Sequence, residues 1–247
     1  MRFYVPKDQI SEKQLQIRGT ELHHILNVLR LRAGDSITAL DGSGGICEVV
    51  ISSISKHGNP PFAIGEIKSK SQTIRRDIET ALFQGLPKYD KMDLVIQKAT
   101  ELGIDYIIPT LCQNTIPELD SDRSDKRVKR WRQIAIEASK QSQRAFLPVV
   151  GEIVSFDKAI EESNGDVKII FLPPSPVYMT RDLRDLLSQK VRKIDIFIGP
   201  EGDFSKEEID KSLDKGLNPV SLGSNILRTE TAAIAAAAII LFLSGNL

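Results

Sequence analysis

The sequence is poor in the residues that most catalytic centres are made from. It holds three histidines and two cysteines in 247 residues. Cys47 and Cys112 lie far apart, which excludes a disulfide framework and any zinc spacing, so both read as small buried hydrophobes. His23 and His24 are sequence neighbours, and adjacent positions on a helix point in different directions, so no metal site is expected. No Walker A, H-E-x-x-H, C-x-x-C or G-x-S-x-G sequence occurs. The nearest match to a dinucleotide fingerprint, Gly42-Ser43-Gly44-Gly45-Ile46-Cys47, lacks its third glycine and lies between two strand-like runs. The longest apolar run, Ala232 to Leu243, falls short of the roughly 18 residues of a membrane span, and MRFYVPKDQI lacks the apolar stretch of a signal peptide. A cytoplasmic protein with no membrane partner is expected. Net charge is also missing: Lys plus Arg and Asp plus Glu number 33 each. Any nucleic-acid contact must then come from local patches.

What is present divides near residue 70. Up to that point strands and turns dominate. MRFYV is a short apolar strand. TELHHILNVLR reads as one short helix with Thr20 as its N-cap and Leu22, Ile25, Leu26 and Leu29 at helical spacing; Leu26, Val28 and Leu29 read as core. SITALD and ICEVVISSI flank a glycine-rich turn as a hairpin, and FAIGEIKSK adds a strand. Residues 1–70 are expected to form a small β-barrel.

Over residues 71–247 strands and helices alternate. ETALFQGL, YIIPTL, VKIIFL, IDIFIG and PVSLG are short apolar strands. Met92, Val95, Ile96, Ala99 and Leu102 make one helical face, stopped by Gly103. Val128, Trp131, Ile134, Ala135 and Ala138 make another, on a helix read from Arg123 to Arg144. Ser205 and Glu208 form a capping box that opens a third helix, closed by Gly216. Thr229 to Leu243 is a terminal helix. Apolar strands alternating with helices predict an α/β domain with a mainly parallel sheet covered on both faces. Ligands of such sheets sit at the carboxyl ends of the strands, which points to three loops: Pro173-Pro174-Ser175, Gly199-Pro200-Glu201-Gly202 and Leu222-Gly223-Ser224-Asn225.

The chemistry of these loops admits two readings. IGPEGDFS is either a plain strand-to-helix turn or a loop whose glycines let the backbone approach a ligand. Glu230 suits the positive end of the helix dipole as an ordinary cap residue. Arg228 is disfavoured by that dipole, which hints at another duty such as stabilising developing negative charge. Eight Lys or Arg between Arg123 and Arg144 face only Asp125 and Glu137. They are either a solvated face or a phosphate-binding one.

IGPEGDFSKEEI and LGSNILRTETA resemble the two signature segments of the ribosomal small subunit methyltransferase E family, of the SPOUT class. HHILNVLRLRAGD, GLPKYDKMDLVIQKATELG and WRQIAIEASKQSQR resemble its other blocks in the same order, so the resemblance covers essentially the whole chain. It implies a PUA-like β-barrel followed by an α/β methyltransferase domain with a trefoil knot, and a homodimer through the terminal helix. It implies S-adenosylmethionine as cofactor, held at Leu172, Pro173, Ile198, Gly199, Pro200, Glu201, Gly202, Leu222, Gly223, Ile226 and Leu227. The implied reaction methylates N3 of a uridine in bacterial 16S ribosomal RNA, with the small ribosomal subunit as partner. Arg228 is then the catalytic cation, and Glu201 and Glu230 are candidate proton acceptors. Arg2, His24, Arg30, Arg32, Lys91 and Arg144 are expected to contact RNA. Four positions depart from the pattern. Asp203, Tyr89 and Gln143 stand at or near usual glycines, and Asn225 stands at a usual arginine. A SPOUT enzyme acting on another RNA, and a non-catalytic RNA-binding or assembly protein, are the rival readings.

Overall fold

The computed structural model describes residues 1–56, 60–115, 121–175, 179–188 and 190–246. They fall into two compact units. One comprises residues 1–75 and 139–147, the other 76–138 and 148–247.

In the first unit, β1 (Arg2–Tyr4), β2 (Gln14–Ile17), β3 (Ser36–Leu40), β4 (Gly45–Ser55) and β5 (Phe62–Gln72) form one sheet in the order β1-β3-β4-β5-β2. β1 runs parallel to β3 and the other pairs are antiparallel. Among the described residues β1 and β2 do not pair, so the hydrogen-bonded ladder is open there. Alternation buries Cys47, Val49 and Ile51 of β4 against Phe3, Leu15, Ile17 and Ile37, the period-two pattern of a sheet with one covered face.

The helix between β2 and β3 corrects the expectation for that segment. α1 (Gly19–His23) is capped by Arg18 without a side-chain hydrogen bond, so Thr20 lies inside it. The chain then widens into a π turn over His24–Val28, with Leu29 N–H donating to the His24 carbonyl at 3.0 Å. The wider turn breaks the 3.6-residue spacing. Val28, read as core, is 61% exposed, while Ile25 is fully buried.

Residues 139–147 belong to this unit, which a single cut near residue 70 leaves out. Lys140 Nζ donates to Glu21 Oε1 at 2.9 Å, with both side chains nearly buried. Arg2 donates to the Gln143 carbonyl at 3.1 Å and to its Oε1 at 3.0 Å. The Gly44 and Leu147 amides bond to Ala145 and Gly42 carbonyls respectively.

The second unit contains β6 (Glu79–Gly85), α2 (Lys91–Leu102), β7 (Tyr106–Leu111), α3 (Ser121–Gln141), β8 (Val149–Val150), β9 (Val154–Ser155), α4 (Phe156–Glu162), β10 (Val167–Phe171), α5 (Leu183–Leu186), β11 (Lys193–Ile198), α6 (Lys206–Asp214), β12 (Asn218–Val220) and α7 (Thr229–Leu243). α3 stops at Gln141, short of Arg144, and its last residues belong to the first unit. The sheet runs β12-β10-β11-β6-β7-β8, with β9 also on β7, and every pair is parallel. Each central strand is apolar on both sides because both sides are covered. Leu82, Ile194 and Ile196 face a core with Val95, Ile96, Trp131, Ala236 and Ile240. Ala81, Phe83 and Phe197 face a second core with Phe156, Ile160 and Ile209, in which the Phe83 and Phe197 rings stack at 4.4 Å. The capping box predicted at Ser205 and Glu208 is formed.

Among the described residues four non-glycines adopt positive φ: Arg30 at 55°, Tyr89 at 55°, Gln143 at 62° and Asp203 at 56°. Three of them, Tyr89, Gln143 and Asp203, are positions that the resemblance set at or near an expected glycine. The backbone there has a conformation that glycine adopts freely and an L side chain resists. Tyr89 is 87% exposed, so its ring returns little burial. Tyr89→Gly is expected to raise stability by about 0.5–1 kcal/mol, the relief of left-handed strain less the added entropy of an unfolded glycine. Thermal unfolding of the two proteins measures this.

Candidate active site

Three neighbouring strands, β12, β10 and β11, end at Val220, Phe171 and Ile198. Because they are parallel, the loops that leave them emerge on one edge of the sheet. Together with the first turn of α7 these loops enclose a cleft of about 440 Å³. Leu172, Pro173, Ile198, Gly199, Pro200, Glu201, Leu222, Ile226, Leu227 and Arg228, all singled out in the sequence, line it. Gly202, Gly223 and Glu230 do not. Phe171, Ser221, Thr229 and Ala232 line it as well, none of them named as a site residue from the sequence, although Thr229 and Ala232 lie in the segment LGSNILRTETA.

Close backbone packing shapes the loop after β11. A Cβ on Gly85, at the end of β6, would come within 2.5 Å of Pro200 N. One on Gly199 would meet Asp203 Oδ1 at 2.7 Å, and one on Gly202 would meet Asn114 Cβ at 2.9 Å. Asn114 Nδ2 donates to the Gly202 and Asp203 carbonyls at 2.9 and 3.2 Å. Asp203 Oδ1 accepts the Phe204 amide at 2.8 Å, the local bond that makes aspartate tolerable at positive φ. Burial pushes the Asp203 carboxyl above its ordinary pKa, against the pull of that amide.

The charged groups of the cleft are linked. Glu201 accepts the Lys88 amide on both carboxylate oxygens at 3.1 Å and Lys91 Nζ at 2.7 Å. Burial raises the Glu201 pKa, but Lys91 and the backbone amides outweigh it and hold the carboxyl below the usual range. The Glu201 hydrogen bond raises the pKa of Lys91. Lys91 Nζ also lies 3.6 Å from Glu230 Oε2, an oxygen with no hydrogen-bond partner among the described residues. Lys91, expected on RNA, therefore lines the cleft between two carboxylates. Arg228 is exposed and caps α7 without a side-chain bond. Its guanidinium pairs with no described residue. Cys112 is buried and its thiol pKa is pushed far up, chiefly by burial, so it offers no thiolate.

Arg2, His24, Arg30, Arg32 and Arg144 lie in the first unit. Arg30 and Arg32 are exposed, the Arg32 amide donating to Asp35 Oδ2 at 2.7 Å. His24 packs edge-on to Phe3. Of the basic helix, Arg130 pairs with Asp93 and Arg132 with Glu152, while Lys126 and Lys129 are exposed. The signal that sequence reasoning passed over is Gln84. It is a lone amide within the apolar strand TALFQGL, wholly buried, and it bonds to Thr229 at the cleft wall.

A cleft over the carboxyl ends of a parallel sheet, lined by an arginine that pairs with no described residue, has counterparts among known proteins. The family model of the RNA methyltransferase domain matches residues 75–241, and that of the RNA methyltransferase PUA domain matches residues 17–58. These matches define a PUA-bearing RNA methyltransferase. A Bacillus subtilis protein named Ribosomal RNA small subunit methyltransferase E is 31% identical over 233 residues, covering 92% of this chain and 90% of that one. Its Synechocystis namesake is 30% identical, covering 96% and 76%. The structure of the Neisseria gonorrhoeae namesake, bound to S-adenosyl methionine, matches with a TM-score of 0.85 at 31% identity over 98% of this chain and 97% of that one. A Legionella pneumophila protein solved with the same cofactor matches at 0.88 and 29% identity, over 98% and 96%. The chain belongs to the ribosomal RNA small subunit methyltransferase E family.

The Lys91–Glu201 pair carries a pH signature. The contribution of Glu201 is present above the ordinary carboxylate pKa and is lost as pH falls through its depressed value. That of Lys91 is present below the ordinary lysine pKa and is lost as pH rises through its raised value. The side chains are 30% and 25% exposed, so solvent discounts the pair. Lys91→Met is expected to cost about 0.5–1 kcal/mol, with a plateau between about pH 5 and pH 10 and a shrinking difference outside it. Urea unfolding of both proteins across that range tests it.

Proposed function

We propose that the protein methylates N3 of a uridine in bacterial 16S ribosomal RNA, with S-adenosylmethionine as methyl donor. The observation that carries this reading is the convergence of the three family loops and Arg228 on one cleft. The cleft fits the cofactor. Its volume lies in the range of small-molecule sites, much of its wall is apolar, and close packing leaves no room for a side chain at Gly85, against Pro200, or at Gly199, against Asp203. Leu172, Pro173, Ile198 to Gly202, Leu222, Gly223, Ile226 and Leu227 are the residues we assign to holding it. When bound, S-adenosylmethionine supplies an electrophilic methyl group on a sulfonium.

The remaining work falls to the chain. Uracil N3 must lose its proton, leaving negative charge on the flanking carbonyl oxygens. A guanidinium aimed there stabilises that charge, and Arg228 is exposed beside the cleft with no competing partner among the described residues. Both oxygens of Glu201 are engaged and its pKa is lowered, which makes it a weak proton acceptor and a good anchor for the loop. Glu230 Oε2 accepts no hydrogen bond among the described residues and has Lys91 Nζ only at 3.6 Å, so it is the better acceptor of the two. N3 is occupied in a Watson–Crick pair, so the target base is presented unpaired. Arg2, His24, Arg30, Arg32 and Arg144 are assigned to RNA in the first unit, and Lys91 to the cleft edge.

The finer architecture is part of this reading. We assign residues 1–70, with 139–147 in the same compact unit, as the PUA-like RNA-binding domain with its β-barrel, and the rest of 71–247 as the methyltransferase domain, with the trefoil knot of the SPOUT class and a cytoplasmic location. No described helix is long and apolar enough to cross a membrane. A homodimer through α7 is supported by Ile239 and Phe242, which are exposed on that helix, and by Leu94, exposed on the adjacent α2.

Labelled methyl transfer to small-subunit RNA from a strain lacking the enzyme tests the reaction. N3-methyluridine is expected with wild type, and a loss of about 10²–10³ in kcat with Arg228→Ala while cofactor affinity changes little. Absence of label on any RNA with wild type leaves the binding-protein reading. Label on transfer RNA or large-subunit RNA instead moves the substrate. Replacing both Arg30 and Arg32 by alanine is expected to weaken RNA binding about tenfold or more and to flatten its salt dependence by about 1–2 in log–log slope, read by filter binding at several salt concentrations.

A further inference from the structure

The reaction needs two elements that lie far apart in sequence, the loop at Gly199 and the guanidinium at Arg228. One buried hydroxyl joins them. Thr229 Oγ1 donates to the Gly199 carbonyl at 2.5 Å and accepts from Gln84 Nε2 at 2.9 Å. Gln84 Nε2 also donates to the Gly85 carbonyl at 2.8 Å. A carbonyl only accepts and a threonine hydroxyl has one proton, so the direction of every bond in this chain is determined. Gln84 is wholly buried and Thr229 is 5% exposed. Gln84 Oε1 has no partner among the described residues. Leaving a buried acceptor unpaired is costly, and the two bonds donated by the amide's other end are what Gln84 gains in that position.

The position of Thr229 matters as much as its bonds. It follows Arg228 directly and starts α7, and Arg228 has no side-chain cap bond to steady it. Among the described residues the other tie from the first turn of α7 to the same loop runs through Glu230, Lys91 and Glu201. It is longer, at 3.6 Å on one side, and partly exposed. The buried hydroxyl is therefore the stiffer link between the cofactor-side loop and the arginine.

We propose that Thr229 is a positioning residue whose hydroxyl, held by Gln84, couples the Gly199 loop to Arg228, so that the guanidinium is placed when the cofactor loop is ordered. The proposal rests on the methyl-transfer reading above. The test uses the full chain and compares Thr229→Val, Thr229→Ser, Arg228→Ala and the Arg228→Ala/Thr229→Val double variant, each for kcat, RNA KM and cofactor affinity by calorimetry. Thr229→Val keeps the shape and deletes the hydroxyl. It is expected to lower kcat about tenfold and to weaken cofactor binding, with RNA KM unchanged. Thr229→Ser restores most of the loss. In the double variant the valine adds nothing to Arg228→Ala, because the residue it positions is gone. Wild-type kcat in Thr229→Val, a serine that restores nothing, or effects that multiply in the double variant each overturn the coupling. If the valine variant does not fold, Thr229→Ala against Thr229→Ser makes the same comparison, and equal rates overturn it. Arg228→Ala at wild-type kcat overturns the functional reading itself; a slow Arg228→Ala with multiplying effects overturns the coupling alone.

Discussion

The parallel pairing of β6 with β11 is the constraint on which the site depends. It sets Gln84 beside Ile198 and brings the next residue, Gly85, so close to Pro200 that no side chain fits between them. The loop leaving β11 must then bend at Gly199, and it does so over the carboxyl edge of the sheet. β10 and β12 pair in the same sense, so their loops arrive at the same edge. Any antiparallel pair in this set would have sent one of the three loops to the opposite end. The cleft is a consequence of strand direction before it is a consequence of any side chain.

Charge shows the same economy. The protein is neutral overall, and its reactive electrostatics come from local pairing. Lys91 divides two carboxylates, Glu201 is spent on Lys91 and the Lys88 amide, Glu230 Oε2 accepts no hydrogen bond, and the Arg228 guanidinium pairs with no described residue. In the proposed reaction that inequality is what sets Glu201 apart as an anchor, Glu230 as an acceptor and Arg228 as a cation. In the first unit Arg30 and Arg32 sit in the segment just after a π turn, where a local change of helical period takes Val28 out of the core.

Positive φ is met differently at each site. Tyr89, Gln143 and Asp203 all adopt it, at or near positions where the family resemblance leads one to expect glycine. Asp203 meets the strain with a bond to the Phe204 amide, and Gln143 lends its carbonyl and amide oxygens to Arg2. Tyr89, almost wholly exposed, has no comparable return.

The longer strands, the helical faces of α2 and α3, the capping box at Ser205 and the span of α7 were legible in the sequence because each is set by local period and cap chemistry, whereas the short β2, β8 and β9 were not. The three loops were legible for a similar reason: glycine and proline mark where a parallel strand ends. Tertiary structure alone decided the rest. The π turn follows from packing against the sheet and leaves no periodic trace. Residues 139–147 join the first unit through the Lys140–Glu21 pair and the contacts of Gln143, all bridging wide gaps in sequence. Lys91 reads as a surface cation until folding places it between Glu201 and Glu230, and Gln84 reads as a flaw in an apolar strand until Thr229 is set against it. Such pairings depend on which distant atoms share a low-dielectric space, and a linear pattern does not carry that information.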